Sequence, residues 1–242
     1  MKLRLDKLLV QKNLVPTRQK AQALIGAGQV YVNQLRADKA GSLFPLDCQI
    51  EIRGTCRYVS RGGLKLEAGL AGFQIDPTGL ICADIGASTG GFTDCLLQHG
   101  ADKVYAIDVG YGQLAWKLRQ NPKVVVLERT NARHLAATQV PDPLDLAVID
   151  AAFISLKLLI PPLLGLFRQQ ASILALIKPQ FEVGKGRVGK GGVVRDAALH
   201  DEVVRDILDF AEATGLQSRG VIPSPILGPK GNREFLVHLL ST

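Results

Sequence analysis

The chain has 242 residues, 47% of them hydrophobic, and 29 Lys and Arg against 22 Asp and Glu give a formal net charge of +7. That size allows one sizeable core with a smaller one beside it, and the excess of positive charge favours a polyanionic partner, because neutralised phosphates release condensed counterions. The start M-K-L-R-L-D puts charge where a signal peptide would need an apolar core, and no run approaches the ~20 apolar residues that a spanning helix needs.

Residues 1–58 read as a compact unit. Leu5, Leu8 and Leu9 fall at helical spacing, and Pro16-Thr17 supplies a start for a second short helix carrying Ala21, Leu24 and Ile25. Gly26 and Gly28 end that helix, Val30-Tyr31-Val32-Asn33 is a strand running into a turn, and residues 47–52 alternate as a second strand with Ile50 and Ile52 on one face. Arg4, Lys7, Arg18, Lys20 and Arg36 stud this segment and are candidate RNA contacts.

From about residue 60 the pattern changes. Residues 80–84, 103–108, 123–127, 144–150 and 171–178 are short apolar runs of the kind that suit parallel strands covered on both faces. Helical segments between them make the natural architecture an α/β doubly wound, mainly parallel sheet over residues 59–242, preceded by a small α+β domain. The most apolar helical candidate, residues 158–167, is flanked by Lys157 and Arg168 and interrupted by Pro161-Pro162. Residues 179–195 break the rhythm with five glycines and with Lys185, Arg187, Lys190 and Arg195. So long an irregular stretch suggests a mobile lid over a bound polyanion. Cys48, Cys56, Cys82 and Cys95 are far apart, with no C-x-x-C pair and no His cluster. This spacing argues against a zinc site and a disulfide framework, and it fits a reducing, cytoplasmic compartment with no metal.

The most informative local sequence is D-I-G-A-S-T-G-G-F-T at 84–93, which follows an apolar strand and opens a helix. Glycines let the chain turn sharply there and let a ligand approach the backbone. The spacing differs from the dinucleotide fingerprint G-x-G-x-x-G. Asp84, two positions before Gly86, would repel a pyrophosphate but suits the ammonium of a methionine moiety. Asp108 ends the next strand, where a carboxylate can accept hydrogen bonds from both hydroxyls of an adenosine ribose.

Lys65, Asp150, Lys178 and Glu234 stand out by position. Lys65 lies in S-R-G-G-L-K-L ahead of the first strand of the sheet, Asp150 and Lys178 close two later strands, and Glu234 starts the last. Strand ends on the ligand side of such a sheet converge on one cleft. Two lysines and two carboxylates suit transfer of an activated methyl group to a ribose 2′-hydroxyl, since the enzyme then has to position the hydroxyl and manage its proton. Lys178 is the candidate for contacting that oxygen.

These motifs resemble one family in particular. D-I-G-A-S-T-G-G-F-T-D-C-L-L-Q at 84–98 and A-I-D-V-G-Y-G-Q-L at 106–114 look like those of the TlyA family of ribosomal RNA 2′-O-methyltransferases, some of which carry haemolysin names. V-S-R-G-G-L-K-L at 59–66, I-D-A-A-F-I-S-L at 149–156 and I-K-P-Q-F-E at 177–182 extend the likeness over essentially the whole chain. The first unit, with R-L-D-K-L-L at 4–9 and G-Q-V-Y-V-N, resembles the RNA-binding domain of ribosomal small-subunit protein four. The remainder is similar to the FtsJ-like methyltransferases.

The resemblance implies S-adenosyl-L-methionine as cofactor and cytidine 2′-hydroxyls of ribosomal RNA or a ribosomal subunit as target. The lack of a spanning segment leads to no membrane partner being expected, and the sequence leaves the oligomeric state open, with a monomer slightly favoured. It implies a catalytic tetrad at Lys65, Asp150, Lys178 and Glu234. The cofactor would lie along Asp84, Gly86, Ala87, Ser88, Thr89, Gly90, Gly91 and Phe92, with Asp108 and Val109 at the ribose and Asn131 at the adenine. Arg61, Lys185, Arg187 and Lys190 join the RNA-binding set. Many of the wider group have Pro where Ser88-Thr89 occurs, a difference of loop detail. The alternatives are an RNA-binding protein with an inactive methyltransferase domain, a membrane-active haemolysin, and methyl transfer to a base by way of a nucleophilic cysteine.

Overall fold

The computed structural model describes residues 2–52, 57–184, 186–189 and 191–241. The chain divides into two compact units, Met1–Arg57 and Tyr58–Thr242.

The first unit contains β1 (Lys2–Arg4), α1 (Leu5–Gln11), α2 (Arg18–Gly26), β2 (Val30–Val32), β3 (Leu35–Arg36), β4 (Leu43–Pro45) and β5 (Ile50–Ile52). Leu5, Leu8 and Leu9 of α1 meet Ala21 and Ile25 of α2, and Val30 and Val32 close the small core. Thr17 caps α2 by accepting from the Lys20 amide, satisfying one of the donors a helix start leaves free. β2 pairs antiparallel with β3 and β5. Asn33 and Gln34 both take positive φ between β2 and β3, as a two-residue hairpin turn matched to strand twist requires. The β1–β4 pair was not legible in the sequence: three residues per strand are too few for an alternation to register.

The second unit opens with α3 (Gly62–Gly72). It continues through β6 (Ile81–Ile85), α4 (Gly91–Gln98), β7 (Lys103–Ile107), α5 (Trp116–Arg119), β8 (Val124–Leu127), β9 (Leu146–Ile149), α6 (Leu156–Leu164), β10 (Ser172–Ile177), α7 (Pro179–Glu182), α8 (Ala197–Ala213), β11 (Leu216–Pro223) and β12 (Phe235–Ser241). The seven strands form one sheet in the order β11-β12-β10-β9-β6-β7-β8. Neighbours from β10 through β8 run parallel, whereas β12 runs antiparallel to both β10 and β11.

The apolar runs at 80–84, 103–108, 123–127, 144–150 and 171–178 supply the five parallel strands, whose central members are buried on both faces. The helix α8 follows Asp196, which caps it, and lays Val203, Ile207 and Ala211 into the core. Burying a side chain of the size of Val203 or Ile207 contributes about 1.5–3 kcal/mol. The proline-interrupted run near 158–167 becomes α6, whose Leu156, Leu159, Ile160 and Leu163 are core residues. Among the described residues no helix is long and apolar enough to cross a membrane.

From β6 the chain proceeds outward to β7 and β8, then returns to place β9 on the other side of β6. The strand order therefore reverses between β6 and β9. Doubly wound sheets bind ligands at the carboxyl ends of the strands flanking such a point.

Candidate active site

At the reversal point the turn after β6 and the end of β9 touch. The Asp150 amide donates to the Ile85 carbonyl at 3.0 Å, and Gly86 has φ +85°. A Cβ on Gly86 would lie 2.9 Å from the Asp150 carbonyl oxygen and the Ala151 Cα, so no larger residue fits without moving backbone. Gly90 also has positive φ, but a Cβ there would meet the Leu114 and Leu118 side chains. Gly90 is thus a packing glycine behind the turn and lines none of the clefts in front of it. Gly91 comes close to Ser60 and to the Gly62-Gly63 backbone, bringing the starts of α3 and α4 together.

A cleft of about 350 Å³ opens above this turn, lined by Gly86, Ala87, Ser88, Thr89, Gly91 and Phe92 on one side. Arg61, Lys65, Asp84, Asp150 and Lys178 face the same space, together with Ile226, Leu227 and Gly228. Asp84 is fully buried. Its Oδ2 accepts from the Thr93 amide at 2.9 Å and from the Thr93 hydroxyl at 2.6 Å, while Oδ1 has no partner among the described residues. Burial, with the charges of Asp150 and Asp108 adding to it, pushes the Asp84 carboxyl up to about 7 against the opposing hydrogen bonds from Thr93.

An adjoining cleft of about 430 Å³ shares Gly86, Ser88 and Asp150 with the first and is bounded by Asp108, Val109, Asn131 and Arg133. Asp108 is held by the Ser88 amide at 2.8 Å and the Gly110 amide at 2.7 Å, one on each oxygen. Asn131 caps a short 3-10 turn, Ala132–His134, by accepting from the Arg133 amide.

The four ionic residues come together as two pairs. Lys65 lies on α3, ahead of β6 as its place in the sequence indicates. α3 can carry glycines at 69 and 72 because the helix rests tightly on Leu174 and Ile222, where a Cβ would crowd those side chains. From there Lys65 Nζ reaches Glu234 Oε2 at 2.5 Å. Lys178, following β10, places Nζ 2.5 Å from Asp150 Oδ1 and 3.4 Å from the Asp150 carbonyl. The antiparallel register Ile177↔Phe235 sets Lys178 and Glu234 side by side at the ends of β10 and β12. Lys65, Lys178 and Glu234 are buried, and Asp150 is half-buried. The second oxygen of Glu234, Oε1, has no partner among the described residues.

Sequence reasoning missed the 226–228 segment. Its signal was the P-S-P-I-L-G run, with Gly228 placed where a Cβ would overlap the Glu234 carboxylate.

The basic residues divide by environment. Lys7, Lys20, Arg36 and Arg61 are exposed. Arg4 and Arg18, 44% and 51% exposed, both donate to the buried Asp6 carboxylate, and Gln22 adds a third donor at 3.0 Å. The Arg4 hydrogen bond leads these interactions in holding the Asp6 carboxyl well below the usual carboxylate range, against the opposing effect of burial. Arg187 is paired with Glu202 of α8. Lys185 and Lys190 lie outside the described residues, as does Cys56. Cys82 and Cys95 are fully buried, and desolvation drives the Cys82 thiol up to about 12, which disfavours a nucleophilic role. Among the described residues no group of three or more His, Cys, Asp or Glu is placed to hold a metal ion.

A mainly parallel sheet with an antiparallel β12, a glycine turn after β6 and an acidic residue directly after β7 is the fold of an S-adenosylmethionine-type methyltransferase. Similarity to known proteins agrees with this. Residues 58–240 match the model of the FtsJ-like methyltransferase family, and residues 3–44 match the S4 domain. The chain is 47% identical over 238 residues to the 16S/23S rRNA (cytidine-2′-O)-methyltransferase TlyA of Mycobacterium tuberculosis, covering 98% of this chain and 89% of that relative. It is 42% identical to a hemolysin-named protein of known structure from Streptococcus thermophilus, with a TM-score of 0.79 over 100% of this chain and 89% of the other. A SAM dependent methyltransferase from Aquifex aeolicus shares the fold at 18% identity, with a TM-score of 0.52 over 76% of this chain and 95% of the other. The chain belongs to the FtsJ-like methyltransferase family and, within it, to the S4-bearing group that includes TlyA.

Proposed function

We propose that the protein transfers a methyl group from S-adenosylmethionine to a ribose 2′-hydroxyl of ribosomal RNA, at cytidine, in the cytoplasm. In this reading residues 1–58 are the RNA-binding module and residues 59–242 the catalytic domain. The observation that carries the proposal is the gathering of Lys65, Asp150 and Lys178 around one cleft floored by the glycine turn and Asp84, whose Oδ1 is unpartnered among the described residues, with Glu234 paired to Lys65 beside it. The name of the M. tuberculosis relative supports the choice of ribosomal cytidine.

The residues present fit the cofactor. Asp84 Oδ1 is a buried acceptor with no donor, the site an ammonium group needs, and such a cation would also relieve the upward pressure on the Asp84 carboxyl. Asp108 keeps lone pairs free on both oxygens beyond its two backbone donors, which suits a pair of ribose hydroxyls. Asn131 spends its carbonyl on its own turn, leaving the amide nitrogen to meet an adenine edge. When bound, S-adenosylmethionine supplies a methyl group already activated by a sulfonium.

The chain's own task is then to place the hydroxyl and move its proton. Lys178 Nζ holds the ribose O2′. The proton leaves along the line from Lys178 to Asp150, where Nζ takes the hydroxyl proton as it hands one of its own to Oδ1 across 2.5 Å. No net charge is created in the buried site by that exchange. The Lys65–Glu234 pair keeps the neighbouring carboxylate neutralised and fixes the α3 wall against β12.

Mapping 2′-O-methyl groups in ribosomal RNA incubated with and without purified protein and cofactor tests the proposal. New methylation at a cytidine ribose is expected. Absence of any new 2′-O-methyl group on RNA or on either ribosomal subunit would refute it.

A further inference from the structure

A further cleft, of about 730 Å³, lies on the other side of Lys178 from the glycine turn. It shares Ala152 and Lys178 with the first cleft, and Glu234 also faces it. Two aromatic rings line it, those of Phe153 and Phe181, 5.1 Å apart and tilted by 51°, and Val188 adds further apolar surface. Gln180 of α7 lines the cleft, and its Oε1 is buried without a hydrogen-bond partner among the described residues. A side-chain amide oxygen can only accept, so this atom calls for a donor that the described residues do not supply, and leaving it unmet is costly. Asn232, another amide in the same lining, is already engaged: its Oδ1 accepts from the Val194 amide and its Nδ2 donates to the Gly192 carbonyl.

Resting on the function proposed above, we infer that this cleft receives the base of the acceptor nucleotide and that Gln180 is a specificity-determining residue. Its Oε1 accepts a hydrogen bond from the exocyclic amino group of that base. The reasoning starts from covalent geometry. The 2′-carbon is bonded to the carbon that carries the base, so a hydroxyl held at Lys178 fixes the base within a few ångströms of that lysine. Toward the glycine turn the space is claimed by the methyl donor; away from it lies this cleft. Aromatic rings accept any base, because every base has a π-face, so discrimination has to come from a polar group at the base edge. Gln180 supplies one that is desolvated and unmet. Enzymes that act on single nucleotides commonly extrude them into such a pocket and read the edge there.

The test uses the full-length protein and a ribosomal RNA fragment whose mapped target cytidine is replaced by the riboside of pyrimidin-2-one, which lacks the amino group. Wild-type kcat/KM is expected to fall about tenfold or more on the analogue, as when a site is deprived of a hydrogen bond it was built to make. Gln180→Leu should lose a similar factor on cytidine and then treat the two RNAs alike, while Gln180→Glu, which keeps an acceptor, should retain the preference. Calorimetric affinity for S-adenosylmethionine should be unchanged in both variants, and the wild-type comparison stands even where a variant does not fold. Equal wild-type rates on the two RNAs, or full discrimination in Gln180→Leu, would overturn the inference and leave the 2′-O-methyltransferase reading intact. Failure of the wild-type protein to methylate any 2′-hydroxyl would remove both.

Discussion

Below the cleft of the second unit, each buried lysine faces one carboxylate: Lys65 with Glu234 and Lys178 with Asp150. In the first unit a single buried carboxylate, Asp6, gathers Arg4, Arg18 and Gln22, and the two arginine side chains remain about half in water. The chemistry of the two groupings is similar and their setting is not. Ions taken out of water are committed to one partner, and removing that partner strands a charge at a cost of about 3–5 kcal/mol. Guanidinium groups at the surface are screened and can exchange one anion for another. The first arrangement suits proton handling at a fixed point, and the second suits a surface that meets a polyanion.

The largest effect expected from this contrast is on turnover. Lys178→Ala should lower methyl transfer by about 10²–10⁴-fold, the usual worth of a positioned proton-transfer group, with S-adenosylmethionine affinity nearly unchanged. Single-turnover transfer of labelled methyl, together with calorimetry, measures the two separately. Wild-type transfer in this variant would take Lys178 out of the reaction.

Next comes stability. Lys65→Met or Glu234→Leu alone should destabilise the protein by about 3–5 kcal/mol, whereas the double variant should recover most of that loss and still be impaired in transfer. Denaturant unfolding of the three variants gives the coupling. Additive losses would show that water reaches the pair and that it is not the desolvated ion pair its burial indicates.

Asp84 sharpens the contrast through pH. Its carboxyl is raised to about 7 in the fold from an ordinary value near 3.8. The folded chain therefore binds a proton between those values that the unfolded chain does not, and this residue's contribution to stability declines as pH rises from about 4 to 7 and is flat above. An ammonium group placed at Oδ1 favours the ionised form, so cofactor binding should release a proton below pH 7 and tighten as pH rises to that point. Calorimetry in buffers of different ionisation enthalpy reads the proton count directly. In Asp84→Asn the affinity should drop about tenfold and lose this pH dependence. Identical proton counts in the two proteins would separate Asp84 from the ligand.

How much of this was legible in sequence follows from the range of the interactions. The parallel strands showed because double-sided burial writes continuous apolar runs, as in I-L-A-L-I before Lys178. The glycine turn showed because Gly86 answers a local backbone demand. Lys65 was recognisable as a residue of interest but not as helical. The glycines of α3 look like breakers until Leu174 and Ile222 are seen to press against them. The function of Gly90 was likewise hidden, since Leu114 and Leu118 come from a segment more than twenty residues onward. Nothing local in K-P-Q-F-E distinguishes the unmet oxygen of Gln180 from an amide already paired. That difference appears only when the cleft is assembled.

The smallest effects belong to the first unit, and there the structure splits one expectation into two. Arg4, Lys7, Arg18 and Lys20 share a sign, but it is the two arginine side chains that bind the Asp6 carboxylate, while Lys7 and Lys20 stand exposed at the surface. Lys7→Gln with Lys20→Gln should leave folding untouched and flatten the dependence of RNA affinity on salt by at most about 0.9 log units for each phosphate no longer neutralised. Arg4→Gln with Arg18→Gln should do the same and also release Asp6 from the donors that keep its carboxyl ionised. The stability that Asp6 provides is present above its ordinary range and fades as pH falls, so this pair of substitutions should weaken the first unit most near neutral pH and least in acid. Filter binding of ribosomal RNA across a salt series, set beside unfolding at two pH values, resolves the two outcomes. A salt slope altered by the arginines alone would mean that these groups let go of Asp6 to take phosphate, and the surface would then be built around the buried carboxylate as its resting anion.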